Sequence, residues 1–381
     1  MFQSDTKLPH VLPSAAYHNT QVFARECSQV MKDAWHLVGT SDELSEDGDF
    51  LTTTLSGVPV QVRNFNGEVK ALSNVCAHRH ATICGQPAGN SKSMRCQYHG
   101  WEYQSDGCTG KIPMPKNFVP FEKEALRLPS YEVEMVGKLV FVNVAQRPRS
   151  IKSQFGEAML AKIAEHFGEH WSKAMKLRNE FEVNWKIPIE NALESYHVPA
   201  VHARTFREDP GAERSQHTLE KEYSSLHTKL PFAPHHWLDK SFQKLEGRYI
   251  RWLGFPATKA YEQVHILPNL LFSFTDAISL VQCVIPEGPQ ACTILTRQFG
   301  RKPRSSSYGL RRLMAWLWNK MTSNITRRIL LEDQELYVQI QKGLQHSPHK
   351  GVLGICEERI FHFQNYISQR ASDLWSESVD D

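Results

Sequence analysis

Two short motifs most constrain what this chain can fold into. They are Cys76-Ala77-His78 and Cys96-Gln97-Tyr98-His99, separated by the seventeen residues 79–95. Both lie in a stretch, from about 45 to 146, that reads as β structure. Residues 49–75 alternate apolar and polar positions, are rich in Val and Thr, and are cut by Asn66-Gly67, a two-residue hairpin signal. The run 138–144 has the same texture, and Gly85, Gly100 and Gly107 mark loops. A small β unit that brings two such loops together assembles two thiolates and two imidazoles into a four-ligand metal site. Eight cysteines are present, four of them between 76 and 108, and only Cys76 and Cys96 precede a histidine by a few residues. A chain of 381 residues buries a core without disulfides. The spacing therefore predicts a metal rather than covalent staples, with Cys84 and Cys108 as free thiols.

Two metals compete for that site. Zinc takes two Cys and two His tetrahedrally, usually with like ligands paired in sequence. Here each loop supplies one sulfur and then one imidazole. That order suits a two-iron cluster in which one iron takes both sulfurs and the other both imidazoles, the Rieske [2Fe-2S] centre. A structural zinc site is the alternative.

A second constellation lies at 184–206, NWKIPIENALESYHVPAVHARTF. Periodicity predicts a helix over 189–196, with Glu194 and His197 sharing a face. On an unbroken helix His202, five residues on, would point about 140° away from His197. Pro199 breaks the helix between them and lets His202 turn back. Two imidazoles and one carboxylate on one face of an ion form the triad of non-haem iron(II) oxygenases. If Glu194 is not the carboxylate, the segment 330–344 offers Glu332, Asp333 and Glu335, among which spacing does not choose. Read separately, the histidines pass for partly buried core residues and the acids for a solvated helix face.

The remaining chain predicts an α+β protein. Residues 14–34 read as a helix with Ser14 or an early neighbour as cap, and 152–176 read as helical. Residues 263–299 read as antiparallel strands, 307–345 as a long helix and 357–376 as a last helix. The expected domains are an N-terminal helical segment (1–44) packing on the catalytic domain, an all-β domain (45–150) ending near the QRPRS boundary, and a catalytic domain (151–381). The net charge of +3 gives no signal for nucleic acid, and no run of 18 apolar residues is present to span a membrane. The opening MFQSDTKLPH has neither a basic nor an apolar leader region, so the expected location is cytoplasmic.

With both constellations in view, the chain resembles the α subunits of Rieske non-haem iron oxygenases, the ring-hydroxylating oxygenases. The resemblance rests on Cys76-Ala77-His78-Arg79, Cys96-Gln97-Tyr98-His99-Gly100-Trp101, Asn184-Trp185-Lys186, the set Asn191, Glu194, His197 and His202, and Glu332-Asp333 with Gln341-Lys342-Gly343-Leu344. It implies that Cys76, His78, Cys96 and His99 hold the [2Fe-2S] cluster. It further implies that His197, His202 and Asp333 hold a mononuclear Fe(II), and that Glu194 bridges the two centres across a subunit interface. The implied architecture is an N-terminal Rieske domain followed by a helix-grip (START/Bet v 1-like) domain with an antiparallel sheet, in a homotrimer. Three positions depart from the family pattern: Glu194 where most members have Asp, His80 where the family has Gly, and Val338 where it has Glu. Glu at the bridge, with Leu12-Pro13, Tyr17 and Phe23, is similar to the carnitine, glycine betaine and choline monooxygenase branch.

The expected function is the terminal oxygenase of a multicomponent monooxygenase. It would use O₂ and electrons from NAD(P)H, delivered by a separate reductase or ferredoxin, since no Gly-x-Gly-x-x-Gly fingerprint is present. The expected substrate is a small amine or quaternary ammonium compound, hydroxylated next to nitrogen or N-dealkylated. Trp237, Tyr249, Trp252, Phe272 and Phe274 are candidate faces for its cation, although core packing is the ordinary role of such residues. The alternatives are an aromatic ring-hydroxylating dioxygenase, a Rieske electron-transfer protein without oxygen chemistry, and a zinc-stabilised binding module.

Overall fold

The computed structural model describes residues 2–4, 8–118, 123–205, 211, 213–228, 237–258, 260–304 and 309–371. The chain divides into two compact units, residues 31–153 and residues 1–30 together with 154–381.

The smaller unit is a seven-stranded antiparallel sheet. Its strand order is His36–Thr40, Leu139–Asn143, Ser130–Val136, Glu68–Ser73, Val58–Phe65, Asp49–Leu55 and Ala88–Asn90. Phe65 pairs with Glu68, so Asn66-Gly67 makes the two-residue turn expected from sequence, with φ of 53° and 91°. The domain boundary expected at 44/45 falls inside this unit. The strand His36–Thr40 is buried throughout and pairs with Leu139–Asn143, so residues 31–44 belong to this unit. A five-residue apolar run has too short a period to separate a buried strand from helix. Beyond the sheet, the ribbon Met94–Arg95 and Glu102–Tyr103 carries one of the two motif loops.

The larger unit is a second seven-stranded antiparallel sheet, in the order Trp171–Phe181, Ala291–Arg301, Ile278–Gly288, Leu270–Phe274, Tyr261–Ile266, Tyr223–Thr228 and Ser215–Leu219. The helix Leu310–His346 crosses this sheet. Ser323 donates to the Ala174 carbonyl at 3.3 Å, Gln298 donates to Thr322 at 3.4 Å, and the rings of Phe181 and Tyr337 meet edge to face at 5.8 Å. The helix expected over 152–176 is two helices, Ile151–Phe155 and Glu157–His166, followed by the strand that starts at Trp171. That strand buries Trp171 and Met175 and exposes the lysines between and beyond them, which helical periodicity misreads. The last helix is Glu358–Ala371, and residues 372–376 of its expected span lie outside the described residues.

The single helix expected over 14–34 is three pieces: a 3₁₀ turn Ser14–Tyr17, an α-helix Thr20–Glu26 and a π turn Cys27–Met31. The α-helix is capped by Asn19 rather than by Ser14, because the Asn19 side chain accepts from the backbone N–H of Gln21 (2.7 Å) and Val22 (3.2 Å). This helix ends on the fully buried Glu26. Glu26 accepts from Lys186 Nζ at 2.7 Å and from Trp185 Nε1 at 2.8 Å. Lys186 also donates to the Ala16 carbonyl at 2.9 Å, and Gln341 of the long helix donates to the Tyr17 carbonyl at 3.1 Å while accepting from Asn184 N at 2.7 Å. The N-terminal segment, the helix Lys186–Ala192 and the long helix are thus tied at one polar node inside the unit.

Two predictions follow from this burial. Removing one partner of a buried ion pair strands the other charge, so Lys186→Met should cost about 3–5 kcal/mol, read as a drop in the urea midpoint. His265 and His166 are held down to about 3 and about 4, both chiefly by burial. An unfolded imidazole takes a proton near 6.5, so unfolding takes up protons between the two values. Stability should fall as pH drops from about 6.5 to 4, by up to about 2.7 kcal/mol per pH unit for two such groups. Urea titrations at several pH values check this.

Candidate active site

In the smaller unit the two motif loops close in the same way. The His80 N–H donates to the Cys76 carbonyl and the Gly100 N–H to the Cys96 carbonyl, both at 2.9 Å. Each closing residue has a left-handed backbone, with φ of 59° at His80 and 74° at Gly100. A residue there without a Cβ is unstrained, and His is among the side chains that tolerate the region. The departure at position 80 therefore keeps the loop's shape. Cys76 and Cys96 are buried with Trp101 and Tyr103 in one apolar cluster. Tyr103 Oη lies 3.0 Å from Cys76 Sγ and 2.9 Å from Ala77 N. The His78 ring stacks on Trp101 at 4.8 Å and stands 4.8 Å from the His99 ring. Its Nδ1 is buried without a hydrogen-bond partner. A buried orphan nitrogen beside two buried thiols is the donor set that a [2Fe-2S] centre with two Cys and two His requires. Among the described residues these four do not draw three donor atoms within 4.8 Å of one another. One tetrahedral zinc, with bonds of about 2.0–2.3 Å, holds its ligands closer than that.

In the larger unit the helix Lys186–Ala192 stops before Glu194, and a short turn Val198–Val201 separates His197 from His202. The helix expected over 189–196 therefore starts and ends earlier, and the break expected at Pro199 falls before it: Pro199 lies in the first turn of Val198–Val201, where the N–H groups of Val201 and His202 donate to the His197 and Val198 carbonyls at 2.9 Å. His197, His202 and Asp333 are the one group of three or more His, Cys, Asp or Glu, among the described residues, whose donor atoms all lie within 4.8 Å. Asp333 Oδ1 is 3.6 Å from His197 Nε2 and 3.0 Å from His202 Nε2. Those are the separations of neighbouring ligands around one ion with bonds of about 2.0–2.2 Å. The opposite nitrogens are anchored by other carboxylates. His197 Nδ1 is bonded to Glu194 Oε1, and His202 Nδ1 lies 2.9 Å from Glu332 Oε2. Asn191 donates to Asp333 Oδ1 at 3.1 Å, and Thr205 donates to Glu332 at 2.7 Å.

Electrostatics match the geometry. Burial disfavours a charged His202, but bonds to Asp333 and Glu332 outweigh it and raise its pKa. Burial would raise Glu332, but His202 and Thr205 hold it low. Three carboxylates around two imidazoles give a site suited to a dication. The choice left open by spacing falls out of helix geometry: Asp333 faces the imidazoles, Glu332 turns about 100° away to brace His202, and Glu335 is exposed. The bracing role of Glu332 and the bond from Asn191 were not visible in the sequence, since neither spacing nor residue type separates a brace from a ligand.

The triad opens on a cavity of about 720 Å³ lined by the larger unit. Of the five aromatic residues expected around a cation, none lines it. Trp237 is 67% exposed, Tyr249 packs on Trp318, and Phe272 and Phe274 are buried in the sheet core. The rings that do line it are Phe242 and Tyr261, with Glu246 and Asp276 nearby in the lining.

Fold and site define a Rieske oxygenase, an enzyme that pairs a Rieske cluster with a mononuclear iron. Residues 168–373 match the ring hydroxylating alpha subunit (catalytic domain) family and residues 34–132 the Rieske [2Fe-2S] domain, so this chain belongs to the ring-hydroxylating α-subunit family. It is 30% identical over 370 residues to the chloroplastic choline monooxygenase of Beta vulgaris, covering 94% of this chain and 76% of the relative. It is 26% identical over 375 residues to the glycine betaine monooxygenase oxygenase subunit of Chromohalobacter salexigens, covering 88% of this chain and 79% of the relative. The quaternary ammonium Rieske monooxygenase CntA, in complex with an inhibitor, shares the fold with a TM-score of 0.73 at 18% identity, over 97% of this chain and 100% of that one. Naphthalene 1,2-dioxygenase from Rhodococcus sp. shares it with a TM-score of 0.71 at 17% identity, over 93% and 94%. The catalytic-domain match sets aside the electron-carrier and zinc-module readings.

Replacing Glu332 by Ala leaves His202 Nδ1 without its carboxylate. Loss of such a brace should weaken metal retention at the triad by about 10–100-fold, measured by Co(II) titration, with the visible bands of the cluster unchanged.

Proposed function

We propose that this protein is the terminal oxygenase of a multicomponent monooxygenase that hydroxylates or dealkylates an organic cation, an amine or quaternary ammonium compound. The observation that carries the reading is the convergence of His197 Nε2, His202 Nε2 and Asp333 Oδ1 at the wall of a 720 Å³ cavity. His197, His202 and Asp333 would hold Fe(II), and Cys76, His78, Cys96 and His99 the [2Fe-2S] cluster. Held there, the cluster would supply single-electron transfer and the iron the activation of O₂. Glu194 fixes the tautomer of His197 through Nδ1 and also accepts its backbone N–H at 3.1 Å. In a homotrimer we assign Glu194 the second role of linking this imidazole to a cluster histidine of the neighbouring subunit. Electrons would reach the cluster from NAD(P)H through a separate reductase or ferredoxin.

The substrate class is supported by the names of the relatives and by the lining of the cavity. Glu246, Asp276 and the rings of Phe242 and Tyr261 in that wall favour a cation over a neutral hydrocarbon, which counts against the aromatic dioxygenase reading. The reading places the protein in the cytoplasm; none of its eight cysteines is paired in a disulfide. No helix among the described residues is long and apolar enough to cross a membrane.

Iron analysis tests the two-centre reading. The purified protein should hold about three iron atoms per chain, and Asp333→Ala about two. The variant should keep the cluster's visible absorption and lose reductase-coupled, amine-dependent oxygen uptake. A variant that retained all its iron would overturn the assignment of Asp333.

A further inference from the structure

We infer that the end of the cavity remote from His197, His202 and Asp333 is a seat for an organic cation, built from Glu246 and Asp276 with the rings of Phe242 and Tyr261. The substrate is then an extended molecule oxidised at the end opposite its seated charge, so that of the two reactions proposed above hydroxylation, not dealkylation, is the one that fits. This rests on the proposed oxygenase reading for the oxidation, but not for the binding.

The long helix serves as a ruler. Thr322 and Asp333 both line the cavity and are eleven residues apart on Leu310–His346, which at 1.5 Å per residue is about 16 Å. The cation-attracting groups gather at the Thr322 end. Phe242 and Tyr249 of the helix Trp237–Trp252 stack on Trp318 with ring centroids at 5.7 and 4.4 Å, one turn before Thr322. Glu246 is four residues after Phe242 and three before Tyr249, so it shares their face. Asp276 lies in the turn between the strands Leu270–Phe274 and Ile278–Gly288, next to Ala277, which packs in the same cluster as Tyr249 and Trp318. Tyr261 starts its strand one residue beyond the Glu262–Phe274 pair, at the same edge of the sheet. At the other end the walls around the triad are Asn191, Ala192, Ser195, Val198, Ile329 and Leu330, which bring no aromatic ring.

Charge supports the seat. No Lys or Arg is among the described residues of the cavity lining. Asp276 is fixed by Thr258, whose N–H and Oγ1 each donate to it at 2.7 Å, and its carbonyl accepts from Arg301 at 3.3 Å. Among the described residues Glu246 has no such anchor. Burial, with Asp276 beside it, pushes its carboxyl up to about 7. A carboxylate held in a largely apolar cavity is stabilised by a cation that arrives there. Among the described residues Tyr249 Oη and Trp318 Nε1, each in a residue 7% exposed, have no hydrogen-bond partner in the core cluster next to these groups. A cavity of 720 Å³ takes a drug-sized ligand. A cation of only a few heavy atoms seated at Glu246 would not span the distance to Asp333.

The test is calorimetric binding of n-alkyltrimethylammonium ions, from butyl to decyl, and of their neutral tert-butyl-ended isosteres to the iron-loaded full chain. The wild type should bind the decyl cation at least about tenfold more tightly than its neutral isostere, and Glu246→Gln should abolish that preference while leaving the neutral ligand within about twofold. Asp276→Asn should weaken the same preference. With the reductase, the decyl ion should gain oxygen on the far half of its chain. Equal binding of cation and isostere by the wild type would overturn the seat without any variant. Oxidation confined to the carbon next to nitrogen would overturn it while leaving the oxygenase reading intact. Charge-selective binding lost in E246Q without any oxygenation would uphold the seat and count against the oxygenase reading instead.

Discussion

The ion pair between Lys186 and Glu26 is closed to water, and the catalytic unit is arranged around it. Neither residue exposes measurable surface, and the ammonium also lies 5.0 Å from the centre of the Tyr17 ring and 5.3 Å from that of Trp185. Two buried charges tolerate little displacement, because any widening of the gap leaves each uncompensated in a medium that solvates it poorly. The pair fixes the start of the helix Lys186–Ala192 against the N-terminal helix, and Gln341 fixes the same corner against the long helix. Asn191, one turn and a half along, is then within reach of Asp333. The Asn-Trp-Lys motif thus acts in position control: its side chains are absent from the cavity lining, yet the Lys186 and Trp185 bonds to Glu26 and the Asn184 N–H bond to Gln341 set the helix Lys186–Ala192, which leads into the His197/His202 segment, against the long helix that carries Asp333.

Donor geometry at the triad is enforced from behind. Each imidazole has its Nδ1 committed to a carboxylate, which leaves its Nε2 directed at Asp333. The sequence encodes this economically. A single turn after Ala192 supplies the brace Glu194 and the donor His197, and adjacent positions on the long helix supply the brace Glu332 and the donor Asp333.

Much of this was legible before the structure. Cys76, His78, Cys96 and His99 stood out as candidate cluster ligands because cluster chemistry demands rare residue types at short spacing, and their two loops close alike in the structure. Asn66-Gly67 gave its hairpin, whereas the break expected at Pro199 falls before it, because a proline in a helix's first turn costs no hydrogen bond. What failed did so for physical reasons. His36–Thr40 is a buried strand whose five residues lack any period, and Trp171–Phe181 carries lysines that mimic a helix's polar face. Asn19 overrode Ser14 because a cap is chosen by which side chain meets a free N–H, not by residue type alone. The cavity wall was the least readable part. Phe242 and Tyr261 come from a helix and an edge of the sheet that only tertiary packing brings together, whereas the more prominent Trp237 and Trp252 face outward.

Glu332 and Asp333 sit nine and ten residues beyond Ser323, whose hydroxyl is pinned to the Ala174 carbonyl. Between these points the helix behaves as a screw of fixed pitch. One inserted or deleted residue there would rotate both acids by about 100° and slide them by about 1.5 Å, detaching donor and brace together. Evolution of this segment is therefore confined to substitution, and length variation among descendants should accumulate in the loops that flank the helix instead.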